Sequence, residues 1–215
     1  MTAGQSAAAW AEEARAAARR GLWRRVLTLL GVRAHTRRAD AVAARRDHGA
    51  EGERATARLL AQLEAQGWHV RHDLALPRSR ANLDHVLISP CGTTIVALDT
   101  KAWNRSWPTT LIRGRVHCGN QDRHEQVEKV AGYARRVADA VNIPRTAVRP
   151  LIVVHGSPVA GGYLEASTPD GPVLVLSPPY LVPTLAGAPG SRDPWRAGGL
   201  ADRVDAVLLP YQRGG

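Results

Sequence analysis

A chain of 215 residues, 44% of them hydrophobic, fits one globular domain of ordinary size plus an appendage. Its net charge of +10 points to a polyanionic partner, nucleic acid first and an anionic membrane surface second. Two cysteines, Cys91 and Cys118, exclude a disulfide framework or a cysteine-built metal cluster, and no apolar run approaches the ~18 residues of a membrane span. Free thiols, and an Ala-rich start that carries Glu12 and Glu13 where a secretory leader would be apolar, make the cytoplasm the expected location. Phenylalanine is absent, so aliphatic side chains and six Trp must fill the core.

Residues 1–46 read as a helical extension rich in Ala and Arg, with ten Arg against Glu12, Glu13 and Asp40. Leu22, Trp23, Val26, Leu27, Leu29, Leu30 and Val32 recur there at helical spacing, interrupted by Gly21 and Gly31. Such a stripe docks on a core or a partner, or lies along a membrane surface or DNA. A second helix is expected over 50–66, capped by Asp47, with Ala57, Leu59, Leu60 and Leu63 on its apolar side and Gly67 as its stop. Glu53 lies in its first turns, either as a carboxylate favoured by the helix dipole or as an acidic group reaching a site.

Strands are expected near 68–75, 82–89 and 93–101. Residues 102–120 read as a loop with a short hairpin around Gly114. Trp103, Trp107, Arg105, Arg113 and Arg115 interleave there, as a grip on a nucleic-acid backbone or as a cover for the core's edge. A helix over 121–142 carries Val127, Val130, Ala131, Ala134, Val137, Ala138 and Val141 at its 3.6-residue period, with Pro144 beyond it. Pro150 to His155 is a fully apolar run, hence a central parallel strand. Residues 156–171 read as a loop, 173–176 as a strand and 180–185 as a short helix. Residues 188–215 read as a Gly/Pro-rich segment that closes in a modest helix over 199–209.

The chemistry concentrates between Asp84 and Lys101, in the run D-H-V-L-I-S-P-C-G-T-T-I-V-A-L-D-T-K. Strand alternation puts Asp99 and Lys101 on one face, and a hairpin would bring Asp84 to join them. Two carboxylates and an amine at one point suit a hard divalent cation holding a phosphate. Among 29 Lys+Arg only Lys101 and Lys129 are lysine. A compact, titratable amine therefore stands where this composition would otherwise place arginine. The plainer alternative is an ion pair at a strand end. His85 points away from Asp84 and reads as a packed core histidine.

Gly52-Glu53-Arg54, Asn82-Leu83-Asp84-His85 and Asp99-Thr100-Lys101 followed by Trp103, in this order along the chain, resemble the nuclease-related domain (NERD) family. That family belongs to the PD-(D/E)XK nuclease superfamily. The resemblance covers roughly residues 49–185 and implies an α/β, restriction-endonuclease-like fold, a mixed sheet flanked by helices, for the 47–187 domain. It implies a catalytic set of Asp84, Asp99, Lys101, Glu53 and Gln126. Of these, Asp84, Asp99 and Glu53 would hold Mg²⁺ or Mn²⁺, and Arg54, Trp103, Arg105, Arg113 and Arg115 would contact nucleic acid, most simply DNA. The second acidic position, often Glu in the superfamily, is the shorter Asp99 here. A scaffold that binds nucleic acid or protein without cutting is the alternative expectation.

Overall fold

A computed structural model describes residues 49–77, 79–187 and 190–212; the extension over 1–46 and the Asp47 cap lie outside the described residues. The described residues belong to one compact unit, His48–Gly215. Helix α1 runs over 49–64. Strands β1 (His69–Ala75), β2 (Asn82–Ile88) and β3 (Ile95–Ala102) follow as an antiparallel meander. A small second sheet comprises β4 (Thr109–Ile112), β5 (Arg115–Cys118) and β6 (Gln121–Asp122). Helix α2 (His124–Val141) then crosses to β7 (Val148–His155), which pairs parallel to β3. Strand β8 (Tyr163–Ala166) lies antiparallel on β9 (Val173–Leu176), and β9 runs parallel to β7. Helices α3 (Pro178–Ala186) and α4 (Pro194–Val207) complete the unit. The main sheet has the order β1-β2-β3-β7-β9-β8.

Period-two alternation sorts the sheet's side chains onto two covered faces. Val86, Ile88, Ile95 and Ala97 pack with Ala134, Val137 and Ala138 of α2 and with Leu200 and Val204 of α4. Farther along the same face, Ile152, Val154, Val173 and Val175 meet Val127, Val130 and Ala131. On the other face Leu87, Val96, Leu98, Leu151 and Val153 meet Leu60 and Leu63 of α1 and Leu181 and Leu185 of α3. The central strands β3 and β7 are thus buried on both faces, which is why their sequences read as nearly unbroken apolar runs.

Three expectations need correction. The stretch 156–171 is not all loop: Tyr163–Ala166 forms the edge strand β8, whose alternation of exposed and buried residues lies in only four positions. Helix α2 begins at His124 and not at 121, because Gln121 and Asp122 pair with β5, and the Asp122 side chain accepts the His124 N–H. The last helix begins at Pro194. Asp193 caps it by accepting the Arg196 N–H at 3.0 Å, and proline at a first helical position starts a helix as readily as it ends one. The segment after 187 is accordingly part of the core. Leu200, Ala201, Val204 and Leu208 are buried, and the Leu209 carbonyl accepts the Ala75 N–H at 2.8 Å.

The turn between β2 and β3 is locked against α4. Gly92 has φ +63, and a Cβ there would meet the backbone of Arg196 and Ala197 at 2.5 Å. Gly92→Ala therefore combines left-handed strain with a backbone clash, and the expected loss is roughly 2–4 kcal/mol in denaturant unfolding. Cys91→Ser beside it should change stability by less than about 1 kcal/mol.

Candidate active site

The last registered pairs of the β2–β3 ladder are Val86 with Ala97 and His85 with Leu98. One step on, where Asp84 comes opposite Asp99, a side chain takes over from the backbone. Asp84 Oδ2 accepts the Thr100 N–H at 2.7 Å. This bond fixes Asp84 on the strand that carries Asp99 and Lys101. The Lys101 ammonium forms an ion pair with Asp99 Oδ2. Both strands project these three groups toward α2, since β3 alternates Ala97, Asp99 and Lys101 on that face.

Burial sets the electrostatics. Asp99 is 5% exposed. Desolvation raises its carboxyl above the usual range, and Lys101 opposes that shift. Asp84 is pushed up to about 7 by burial, then by the Asp99 charge and, more weakly, by Glu53, against the Thr100 hydrogen bond and Lys101. For Lys101 burial works against the charge, but Asp99 and Asp84 outweigh it and hold the ammonium above its ordinary value. Asp84 is thus raised by both Asp99 and Glu53, beside a lysine that pairs with Asp99.

Helix α2 supplies the opposite wall. Gln126, Lys129, Val130 and Tyr133 line a recess of about 290 Å³ together with Asp99 and Lys101. Trp103 donates its indole N–H to Gln126 Oε1 at 3.1 Å. An indole nitrogen only donates, so the amide oxygen is committed to it and the Gln126 NH₂ is the end left to donate. Lys129 pairs with Glu125 at 2.9 Å on the helix surface. Lys129 stood out in the sequence as one of two lysines but was given no role, and Tyr133 was not singled out. Their signal was the spacing Gln126, Lys129, Tyr133, which keeps one helical face.

The remaining residues expected at a site are more scattered. Glu53 acts on the Asp84 charge, yet no group of three or more His, Cys, Asp or Glu gathers at metal-binding range among the described residues. Arg54 turns back to the Ala50 carbonyl. Trp103 is 5% exposed and packs with Val116, Val127 and Val154, so it is a core residue and not a stacking platform. Trp107 is half-buried against the same cluster. Arg105, Arg113 and Arg115 are exposed, and Arg115 pairs with Asp122 at 2.6 Å. His85 is buried with its Nδ1 at 2.7 Å from His72 Nδ1, a packed histidine as its alternation indicated.

On the far face, beneath Asp84 and Asp99, lies a polar network. Thr100 Oγ1 donates to Thr56 Oγ1 at 3.1 Å, and Thr56 Oγ1 bonds His155 Nε2 at 2.8 Å. Gly52 of α1 sits over Thr100 and His155, where a Cβ would be in ordinary contact at 3.4 and 3.7 Å. Thr100 is therefore held from both sides, its N–H by Asp84 and its hydroxyl by Thr56.

The raised Asp84 carboxyl has a measurable consequence without divalent ions. In the unfolded chain this group releases its proton near its ordinary 3.8, and in the folded chain it keeps it to about 7. Between those values the unfolded state holds fewer protons, so stability falls as pH rises and levels off above about 7. The expected penalty at neutral pH has a ceiling on the order of 4 kcal/mol. Asp84→Asn should flatten the slope from pH 4 to 7 and raise the melting temperature at pH 8 in chelator. Parallel profiles for both proteins would mean that Asp84 ionises normally.

No curated protein and no solved structure matches this chain. The family model for the nuclease-related domain matches residues 48–155, half of the chain, from the start of α1 to the end of β7. The match includes every element that carries Asp84, Asp99, Lys101 and Gln126. The mixed sheet flanked by helices agrees with a restriction-endonuclease-like fold. The chain belongs to the nuclease-related domain family.

Proposed function

We propose that this protein is a metal-dependent nuclease that hydrolyses nucleic-acid phosphodiesters, DNA foremost, with Asp84, Asp99 and Lys101 at the reacting centre. The observation that carries the reading is the pair of acids at the β2–β3 end, Asp99 buried and Asp84 half-buried, with one lysine on Asp99 and an amide-bearing helix opposite. The donor set fits Mg²⁺ or Mn²⁺. Mg²⁺ is commonly held by one or two carboxylates, with waters and substrate phosphate completing its shell. Thr100 N–H engages one oxygen of Asp84 and Lys101 engages one oxygen of Asp99, so each acid retains a second oxygen for an ion. The mutual repulsion that raises the Asp84 carboxyl is what a cation would relieve. Asp84 and Asp99 would hold it, and Glu53 would add negative charge from α1. When bound, such an ion supplies an acidified water and offsets charge on the phosphate.

The chain's own groups have separate tasks. Lys101 stays charged, held so by Asp99, and stabilises negative charge that develops on the attacked phosphate. Gln126, with its oxygen committed to Trp103, donates from its NH₂ to a phosphate oxygen or an attacking water. The Thr100 N–H orients Asp84. Exposed Arg105, Arg113 and Arg115 attract backbone phosphates without reading sequence. Affinity for DNA should then fall steeply as salt rises.

The decisive test is cleavage of duplex, single-stranded and RNA substrates with Mg²⁺ or Mn²⁺ against chelator. Asp84→Asn and Asp99→Asn should abolish cutting, and Lys101→Ala should slow it by at least about 100-fold. Asp84→Asn and Asp99→Asn should remain folded, with stability unchanged to within about 1 kcal/mol or raised, whereas Lys101→Ala leaves buried Asp99 without its partner and should cost roughly 1–3 kcal/mol. Lys101→Arg keeps the charge and loses the compact amine. Parent-like cutting by that variant would reduce Lys101 to an electrostatic accessory. A parent protein that binds nucleic acid yet never cuts it would establish the non-cleaving scaffold instead.

A further inference from the structure

The β4–β5 hairpin presents a feature that the proposed chemistry does not use. Its base is tightly anchored. Thr109, Val116 and Cys118 are fully buried, Thr109 Oγ1 bonds Ser157 Oγ at 2.7 Å, and the Thr109 N–H donates to the Pro158 carbonyl at 2.8 Å. Its tip is apolar and exposed: Leu111 is 42% and Ile112 44% accessible. They are followed by a two-residue turn of Arg113 and Gly114, at φ 51 and φ 78. The first position of such a turn favours Asn, Asp or Gly, so an arginine there costs backbone strain that nothing in the hairpin's own packing explains. Arg113 follows the apolar residues, and Ile112 stands opposite Arg115, which pairs with Asp122, while Leu111 stands opposite Val116.

The hairpin is also tied to the candidate site. The Arg123 N–H donates to the Val116 carbonyl at 2.8 Å, and His124 opens α2, whose next turns carry Gln126 and Lys129 into the recess. With Leu111 opposite Val116 and Ile112 opposite Arg115, the tip closes one pair beyond Val116, a reach of roughly 3–7 Å along the strand. It is therefore a rigid, basic, apolar-tipped projection attached to the wall of the recess.

We infer that this tip is a wedge for duplex DNA, with Leu111 and Ile112 on opposite faces of the hairpin, each meeting one side of an opened base step, while Arg113, and Arg115 on release from Asp122, hold the flanking phosphates. Apolar side chains inserted between base pairs unstack them at a cost of a few kcal/mol, and basic neighbours offset it. That cost is least where stacking is already interrupted. The favoured substrate is accordingly a nicked or mismatched duplex rather than an intact one. This deepens the proposed nuclease reading and rests on it.

The test is binding by the full chain, in chelator, to one duplex in three forms: intact, nicked and mismatched, with 2-aminopurine beside the interruption. The expected results are tighter binding to the interrupted forms and a rise in 2-aminopurine fluorescence as the base unstacks. Leu111→Ser/Ile112→Ser should weaken binding to the interrupted forms by about tenfold or more and remove both the preference and the fluorescence rise. The salt dependence should remain that of the parent, because no charge is removed. Both residues are over 40% accessible, so the melting temperature should fall by no more than about 5 °C. Parent-like binding by the double variant would overturn the wedge and leave the nuclease reading intact. A loss accompanied by a shallower salt slope would also overturn it, since the arginines would then have been displaced. If the parent bound none of the three forms, the nucleic-acid reading itself would fall. If the exposed pair instead captured a protein partner with no effect on DNA, the surface would be a protein interface and the wedge would be rejected.

Discussion

The hydrogen bond from the Thr100 N–H to Asp84 Oδ2 is the contact on which the site depends. It stands where the β2–β3 ladder would otherwise continue, and it exchanges a backbone acceptor for a carboxylate. A charged acceptor forms the stronger bond. It also brings a second negative charge up to Asp99, in a place where desolvation already penalises charge. Lys101 balances one acid and not both. The end of the hairpin is therefore built with an electrostatic deficit that only a proton or a cation can fill. A structural ion pair at a strand end would not need that deficit, since one acid and one lysine already satisfy each other.

Such a site needs a stiff support, and the two-faced sheet provides it. The α2 face of the sheet carries Asp84 on β2 and Asp99 and Lys101 on β3, and the α1 face of β3 carries Thr100. There the Thr100 hydroxyl is fixed through Thr56 to His155 on β7. A shift of β3 that loosened Asp84 would have to break this buried network as well, and breaking buried hydrogen bonds costs more than the bonds are worth in net stability. Gly52 of α1 lies over this network, with room for a Cβ in ordinary contact, and the next residue, Glu53, brings its charge toward Asp84.

The central strands and helix α2 were legible because their periodicities are long and uninterrupted. The same is true of Asp84, Asp99 and Lys101, whose alternation along adjacent strands is a backbone property. What stayed hidden depended on contacts between distant segments. Strand β8 has four residues in a Gly-rich stretch, too few to establish a period of two. Pro194 reads as a breaker until Asp193 is seen to cap it. Thr56, Thr100 and His155 are ordinary residues in sequence, separated by 44 and 99 positions in their pairings. Trp103 was recognisable as belonging to the site motif, but whether it stacks on a ligand or packs inward is decided by Val116, Val127 and Val154, none of them nearby in the chain.

The inward packing of Trp103 changes what the loop after β3 can do. A tryptophan on the surface would offer a π-face to any base and would tolerate motion. Buried, it ties the loop's start to α2 through Gln126 Oε1, and its own backbone N–H donates to the His155 carbonyl at 3.0 Å. Gly156 is held at φ +85 with the Trp103 carbonyl 2.4 Å from where a Cβ would stand. The loop therefore leaves the sheet under tight constraint. Exposed side chains follow at Asn104, Arg105 and Ser106 and again at the hairpin tip, at Leu111, Ile112 and Arg113. Positioning is thus assigned to the buried aromatic near the acids, and surface contact to aliphatic and guanidinium groups farther out. The division is local and not a matter of composition, since Trp195 is 93% exposed elsewhere on the surface: Trp103 turns inward because Gln126 and the His155 carbonyl hold it there.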